Sequence, residues 1–139
     1  MPTEKEWVKA AGGNRPKNRF PWDKKGRVTR SLNEIQRYAN VGKGGFYSTT
    51  AVDKFPNGAS SYGVVDMAGN IREWLANLSG DNINWDDSKP RLWFSIRGGW
   101  FKGSVKLANL SGHESFTAAS GFFLVGFRVS IVLHKLNSE

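Results

Sequence analysis

The sequence predicts an α+β domain built from short antiparallel strands, long loops and few helices. Three observations predict this class. Glycine occurs 16 times in 139 residues, which is typical of a chain with many turns. Segments with strand character are short, and glycine or polar residues separate them. Segments with helical periodicity are few. A chain of this length suits a single domain over residues 1–139.

One helix is predicted close to the N-terminus. Residues 3–6 read Thr-Glu-Lys-Glu, which matches a capping box. In that motif Thr3 caps the first free amides of the helix, and Glu6 reaches back to the amide of the cap. Residues 7–11 continue as a short amphipathic helix, and Gly12-Gly13 ends it.

Three segments have the character of β-strands. The strongest is residues 122–133, which is rich in phenylalanine and valine and is interrupted by Gly126. Residues 71–75 alternate in polarity, and residues 92–96 are similar in composition. Residues 14–54 show little periodicity, so we expect long loops there with a few short strands.

Composition excludes several classes of function. The chain has no cysteine, which removes disulfides, thiolate metal sites and cysteine nucleophiles. Its net charge is +8, but the basic residues are scattered and form no long run. This distribution favours a solvated basic face, and no nucleic-acid partner is expected. No apolar run approaches the length needed to cross a membrane, so no membrane-spanning segment is expected.

Five short motifs follow one another along almost the whole chain. They are PTEKEW at 2–7, FPWD at 20–23, FPNG at 55–58 with YGVVDMAGNIREW at 62–74, RGG at 97–99, and GFR at 126–128. The run DMAGN followed by EW is the most specific of them. In this order they resemble the formylglycine-generating-enzyme (sulfatase-modifying factor) family. The resemblance implies that family's variant of the C-type lectin fold.

Most of these motif residues have a structural interpretation. Arg97 and Arg128 are expected to pair with acidic or carbonyl groups beneath the sheet, since a guanidinium suits partly buried sites. Trp7, Trp22 and Trp74 would supply large buried areas. None of these residues is a good candidate for chemistry.

The chain departs from the family's enzymes just after Arg97-Gly98-Gly99. Those enzymes carry a pair of cysteines there, whereas residues 100–107 of this chain read WFKGSVKL. The copper binding and thiol chemistry of that enzyme are therefore excluded. We expect a protein that binds a ligand and is not an enzyme.

A non-enzymatic branch of the same fold offers a closer comparison. The chain resembles the variable proteins of diversity-generating retroelements, which have Arg-Gly-Gly, then a stretch open to variation, then Gly-Phe-Arg near the C-terminus. In that branch the stretch forms the ligand-binding face. The resemblance therefore implies a variable, ligand-binding segment at residues 100–125. Its candidate contact residues are Trp100, Phe101, Val105, Leu107, Leu110, His113, Ser115, Phe116, Thr117, Ser120, Phe122, Phe123 and Leu124.

A packing role competes with the binding role for part of this segment. By alternation Phe122 and Leu124 share one face of the last strand, so one side of that strand is expected to be buried. Packing in the core is favoured more for Val125 and Phe127 than for Phe116 and Phe123. His113 with Glu114 also invites a metal or acid–base interpretation, but a surface histidine that contacts ligand is favoured.

The resemblance also implies a structural calcium ion. The family binds calcium through an Asn-Ile pair and a later Asp-x-Phe, and Asn40-Val41 and Asp53-Lys54-Phe55 occupy the matching places. We therefore expect a calcium site at Asn40, Val41, Asp53 and Phe55, whose oxygen ligands would suit this cation. Gly69, Ile71 and Glu73 resemble a second, weaker site. No other cofactor is required.

The sequence leaves three hypotheses of function. The first is a display protein that recognises a protein or surface molecule of a host or neighbouring cell, located on a virion or cell surface. The second is a metal-dependent oxidase of the wider family, which would need a cluster of histidines and carboxylates, although the chain has only 2 histidines. The third is a calcium-dependent sugar-binding lectin, but the Glu-Pro-Asn-like motif of such sites is absent.

Overall fold

The computed structural model describes residues 1–13, 19–24, 29, 31–42, 46–78, 93–117 and 124–131. In chain order its elements are helix α1 (Glu4–Gly12), helix α2 (Leu32–Ile35), a 3-10 turn (Pro56–Gly58), strand β1 (Arg72–Leu78), strand β2 (Trp93–Arg97), helix α3 (Val105–Ala108), strand β3 (Glu114–Thr117) and strand β4 (Val125–Gly126). The predicted α+β class, with short strands and few helices, is confirmed.

Helix α1 begins at the predicted capping box. The Thr3 side chain accepts a hydrogen bond from the Glu6 amide at 3.3 Å, and the Glu6 carboxylate accepts one from the Thr3 amide at 2.7 Å. The helix ends at Gly13, whose φ of 63° favours glycine. Its inner face buries Trp7 and Ala11.

The four strands form one sheet in the order β3-β2-β1-β4. Strand β1 pairs antiparallel with β2, and β2 pairs antiparallel with β3. Strand β4 pairs with β1 in parallel, through Val125 opposite Arg72. The sequence predicted only antiparallel pairing. It carried no sign of the parallel strand, because side chains alternate in the same way in both kinds of ladder.

The last strand is much shorter than predicted. Of residues 122–133, only Val125–Gly126 pair with a neighbour among the residues that the structure describes. Phe127, Val129 and Ile131 are 69%, 74% and 80% exposed. The expectation that Phe127 packs in the core was therefore wrong. Strand composition reports how well side chains suit a pleated surface, whereas a ladder also needs a partner strand at the right place.

Two short helices lie where no helix was predicted. Helix α2 falls within residues 14–54, where a few short strands were expected, and the Ser31 side chain caps it by accepting from the Glu34 amide. Helix α3 follows Ser104, which caps it in the same way through the Lys106 amide. Each has 4 residues, which is too short for helical periodicity to show in the sequence.

Among the described residues, many of the buried apolar side chains form two clusters. The first cluster contains Phe20, Trp22, Ile35, Ala39, Val41, Ala68 and Ala108. The second cluster contains Trp7, Ala11, Met67 and Leu75, and it joins helix α1 to strand β1. Trp7 and Trp22 are thus buried as predicted, whereas Trp74 is only half-buried because it lies on the other face of strand β1 from Leu75. In the part of the chain described, no helix combines the length and the apolar character that crossing a bilayer requires.

Candidate ligand-binding face

Arg97-Gly98-Gly99 forms a corner at the end of strand β2. The two glycines have φ of 93° and 67°, which few other residues adopt. A Cβ at Gly99 would lie 2.9 Å from the backbone of Ala108, so this glycine lets helix α3 pack against the corner. Arg97 donates to Glu4 and to the carbonyl oxygens of Leu110 and Gly112. The prediction that Arg97 pairs with acidic and carbonyl groups is confirmed.

Arg128 anchors the other end of the candidate segment. Its guanidinium forms a bidentate ion pair with the buried carboxylate of Glu73 and also donates to the Val65 carbonyl. The Trp7 indole donates to the same carboxylate at 2.7 Å. The predicted pairing of Arg128 is confirmed as well. The segment 100–125 is therefore held at both ends by arginines bonded to buried or partly buried groups.

The sheet has one face that points away from helix α1. The alternation of side chains and the strand registers place the same set of residues on this outer face. They are Arg72, Trp74, Phe94, Ile96, Glu114 and Phe116. Ile96 is fully buried at its base, and the aromatic residues around it are half-buried. The Trp74 and Phe94 rings meet edge to face, with centroids 6.3 Å apart.

Arg72 begins strand β1, and its guanidinium contacts several side chains of this outer face. Its guanidinium forms a bidentate ion pair with Glu114 at 2.7 and 3.1 Å, which spans strand β2 and so ties β1 to β3. It also lies 5.0 Å from the ring of Trp100 and 5.8 Å from that of Phe116. Both distances are within the range of cation–π attraction. Arg72 therefore contacts two of the predicted contact residues, Trp100 and Phe116.

The predicted contact residues divide into two groups in the structure. Trp100, Leu107 and Phe116 are half-buried and His113 is exposed, so all four present surface to solvent. Phe101 and Thr117 are buried, at 6% and 8% exposure. These two are placed to pack, and they do not face solvent.

Three further predicted residues also contact the interior. Val105 packs against the first cluster and Leu110 against the second. Ser115 pairs with the buried Ser95, so it lies on the inner face of the sheet. Leu124 is half-buried just before strand β4. Ser120, Phe122 and Phe123 lie outside the described residues.

Sequence reasoning missed Arg72, Trp74 and Phe94 as part of this surface. All three precede residue 100, and they reach the surface of the candidate segment only because strand β2 lies between β1 and β3 in the sheet. The polarity alternation of residues 71–75 was a usable signal that Arg72 and Trp74 share a face. The strand order that brings them to Phe116 was not readable.

The residues expected to bind calcium lie around the loop of residues 46–55. Asn40 and Val41 are buried, Phe55 is half-buried and Asp53 is exposed. Within the described ranges no group of three His, Cys, Asp or Glu side chains could hold a metal ion. A site here would combine the Asp53 carboxylate with amide and backbone oxygens, which suit calcium. The calcium site stays a prediction.

Glu73, which belongs to the second, weaker calcium candidate, has a structural role in the scaffold. The Glu73 carboxylate accepts from Trp7 and Arg128, as described above. Those bonds join helix α1, strand β1 and the chain after β4. The geometry therefore favours the scaffold interpretation of Glu73.

A cleft of about 460 Å³ opens elsewhere, beside the FPWD motif. The residues that line it are Trp22, Asp23, Lys24, Thr29, Arg37, Tyr38 and Asn57. The buried Asp23 carboxylate accepts from the backbone amides of Arg19, Phe20 and Thr29 at 2.9 to 3.0 Å. These bonds hold the loop together, and we assign Asp23 a structural role.

Comparison with known proteins agrees with this architecture. The family model described as the sulfatase-modifying factor enzyme 1-like domain matches residues 1–132. The chain belongs to this family. Over 83 residues it is 37% identical to the formylglycine-generating enzyme of Thermomonospora curvata. That match covers 55% of this chain and 26% of the enzyme.

Solved structures of this family's fold are similar over most of the chain. Treponema denticola variable protein 1 matches with a TM-score of 0.71 and 24% identity, covering 91% of this chain and 45% of that protein. PvdO from Pseudomonas aeruginosa matches with a TM-score of 0.67 and 24% identity, covering 91% and 50%. CarF matches with a TM-score of 0.65 and 22% identity, covering 91% and 44%. These likenesses establish a shared fold, and the chain spans half or less of each relative's length.

Proposed function

We propose that this protein is a non-enzymatic recognition domain that binds its ligand on the outer face of the sheet. The surface consists of Trp74, Phe94, Trp100 and Phe116 around the Arg72–Glu114 ion pair. The observation that carries the proposal is this cluster of partly exposed rings, two of which, Trp100 and Phe116, lie beside the Arg72 guanidinium. Its partner is a protein or surface molecule of a host or neighbouring cell.

The physical case rests on how such surfaces bind. Aromatic side chains give a large contact area for a small loss of conformational entropy. Arg72 is already fixed by Glu114 and by the Trp100 and Phe116 rings, so little further ordering is required on binding. Aromatic and arginine residues are also the side chains that dominate measured interface energies.

The likeness to a variable protein supports a more specific proposal. We propose that residues 100–125 are diversified, as in the proteins of diversity-generating retroelements, on a scaffold held by Arg97 and Arg128. Half-buried and exposed positions such as Leu107, His113 and Phe116 can change without breaking the core. The buried residues between them would have to stay constant in character.

The most informative test is a search of the genome that encodes the chain. We expect a reverse transcriptase gene nearby, together with a near-copy of the region encoding residues 100–125 that differs mainly at adenines. A neighbourhood with neither feature would overturn the diversification proposal. The proposed binding face does not depend on diversification, so the stability of variants tests it separately.

A stability comparison tests whether the solvent-facing positions of residues 100–125 tolerate variation. We expect His113→Ser and Phe116→Ser to change the free energy of unfolding by no more than about 1 kcal/mol each, because both side chains are partly or fully exposed. The matched control is Phe101→Ser, which should cost about 3 kcal/mol or more because Phe101 is buried. Urea denaturation provides the measurement. Equal losses at Phe116 and Phe101 would contradict a tolerant binding face.

An enzymatic role is the second candidate, and the match to a formylglycine-generating enzyme favours it. Any such activity would have to proceed without a cysteine in this chain. We expect the purified protein to contain no stoichiometric copper or iron by elemental analysis, after incubation with either metal. Stoichiometric retention of one of them would favour the oxidase over the recognition domain.

A further inference from the structure

The loop of residues 46–55 is fixed to a buried pair of asparagines. The Asn70 side chain bonds both to the amide and to the carbonyl of Thr50, at 2.9 and 3.2 Å. Asn40 donates to the carbonyl of Ser48 at 3.0 Å, and both asparagines are buried. The backbone of the loop is therefore anchored at Ser48 and Thr50, directly after Phe46 and Tyr47.

This loop presents two rings to solvent, each with a lysine over it. Tyr47 is 82% exposed, and the Lys102 ammonium lies 5.7 Å from its ring centroid. The Lys54 ammonium lies 5.8 Å from the ring of Phe46, which itself packs edge to face on Phe55. We call these four side chains, Phe46, Tyr47, Lys54 and Lys102, the Tyr47–Lys102 patch.

The position of Lys102 joins this patch to the candidate face. Its ammonium lies 5.7 Å from the ring of the buried Phe101 as well as from that of Tyr47. Phe101 in turn meets the Trp100 ring edge to face at 5.4 Å. A ligand seated over Trp100 would thus have the patch as a neighbour.

The chemistry of the patch is complementary to acidic groups. An ammonium over a ring still has N–H donors directed to solvent, and the rings offer apolar contact beside them. Asp53, which is exposed on the same loop, carries a negative charge that offsets one of the two lysines. Two lysines and two rings suit carboxylates flanked by apolar groups. Two lysines are too few for tight binding of a nucleic acid, because that affinity grows with the number of phosphates neutralised.

We propose that the Tyr47–Lys102 patch binds an acidic segment of a partner protein. Three of its four residues lie outside residues 100–125, so this surface selects for ligand charge whether or not that segment varies. The proposal therefore stands apart from diversification, which the genome search decides.

A second lysine–tyrosine pair on the same chain provides a matched control. Lys9 lies 6.0 Å from the ring of Tyr62, which is 53% exposed. Removing either pair changes the charge by the same amount and removes the same kind of ring. Any difference between the two double variants therefore reports location and not overall charge.

The experiment measures binding of a fluorescein-labelled peptide to the full chain by anisotropy. The probe has about twelve residues, alternating glutamate and leucine with glycine, and its comparison replaces each glutamate by glutamine. We expect Tyr47→Ala/Lys102→Ala to weaken binding of the acidic probe about tenfold. The control Lys9→Ala/Tyr62→Ala should change it less than about twofold.

Three results would overturn the proposal. They are equal weakening by both double variants, equal affinity for the glutamate and glutamine peptides, and tighter binding of a single-stranded oligonucleotide of the same charge. If the alanine variant unfolds at a lower temperature than the control, Lys54→Glu/Lys102→Glu replaces it. That charge reversal should abolish binding of the acidic probe and create binding of its lysine counterpart. Unchanged preference would reject the patch.

Discussion

At the scale of single residues, the most specific motif encodes backbone geometry. In the run DMAGN, Asp66, Gly69 and Asn70 have φ of 56°, 79° and 60°. Asp and Asn tolerate this left-handed region better than most residues, and glycine adopts it freely. The turn lets the backbone amide of Asn70 donate to the backbone carbonyl of Asn40 at 2.7 Å. The motif thereby positions the two asparagines that hold the loop of residues 46–55.

Gly69→Ala is expected to destabilise the protein strongly. A Cβ there would lie 2.2 Å from the carbonyl oxygen of Asn40, and the backbone would also be strained. Gly63 has a φ of 77° and nothing within 4 Å, so Gly63→Ala isolates the strain. We expect a loss of about 1 kcal/mol for Gly63→Ala and at least about 3 kcal/mol for Gly69→Ala in urea denaturation. Similar losses would show that close approach is unimportant.

The carboxyl group of Asp66 makes stability depend on pH. Burial raises its pKa, only partly offset by the hydrogen bond from Asn70 and the charge of Arg128, while Glu73 raises it further. A raised pKa means that the folded state binds the proton more tightly than the unfolded state. The carboxylate therefore costs stability above the raised pKa, and that cost disappears as pH falls below the ordinary value.

Asp66→Asn is consequently expected to stabilise the protein at about pH 7. Asparagine accepts the same backbone conformation and can still accept from Asn70. The difference from wild type should shrink towards about pH 2.5, well below the ordinary pKa, where the wild-type carboxyl is protonated in both states. Denaturation curves at both pH values provide the measurement. A less stable variant at neutral pH would mean that attraction to Arg128 outweighs the burial of charge.

At the scale of elements, local signals succeeded where the pattern was long enough to show them. Helix α1 has a full capping box and a buried stripe, and strands β1 and β2 lie within a few residues of their predicted places. Helices α2 and α3 were missed because a single turn carries no period. Strand β4 was overestimated, since strand composition does not show where pairing stops.

Thr3→Ala tests the capping box of helix α1. Loss of the hydroxyl leaves a helix amide without its partner, and we expect a cost of about 1 kcal/mol. Thr3→Ser keeps the cap and should cost only about a few tenths of that. The hydrogen bond from the Thr3 amide lowers the pKa of Glu6. The stabilisation that the Glu6 carboxylate provides is therefore present above its unfolded pKa and is lost as pH falls through the lowered pKa of the folded state. Equal losses for both variants in thermal denaturation would contradict the cap.

At the scale of the whole molecule, one buried carboxylate joins three parts of the fold. Glu73 on strand β1 accepts from Trp7 of helix α1 and from Arg128 beyond strand β4. The residues joined are 66 and 55 positions apart in the chain. The same arginine fixes the C-terminal end of the candidate segment. This carboxylate therefore holds the candidate face as well as the core.

Glu73→Ala is expected to cost about 3 to 5 kcal/mol, because it leaves the Arg128 charge and the Trp7 indole without their acceptor. Arg128→Met should cost less when it is made in the Glu73→Ala background than in the wild type. A double-mutant cycle from urea denaturation measures this coupling. Additive losses would show that the two side chains act independently.

The sequence alone determined helix α1, the two inner strands, the pairing of Arg97 and Arg128 with acidic or carbonyl groups, and the exclusion of thiol chemistry. These features depend on local patterns or on whether a residue type is present. They do not depend on which distant segments the chain brings together. The tertiary structure alone decided that β4 is parallel, that Arg72 reaches Glu114, and that Lys102 lies over Tyr47. Those contacts depend on strand order, register and loop closure between distant residues. Alternation along the chain encodes none of these, because it is the same for every order and direction of strands.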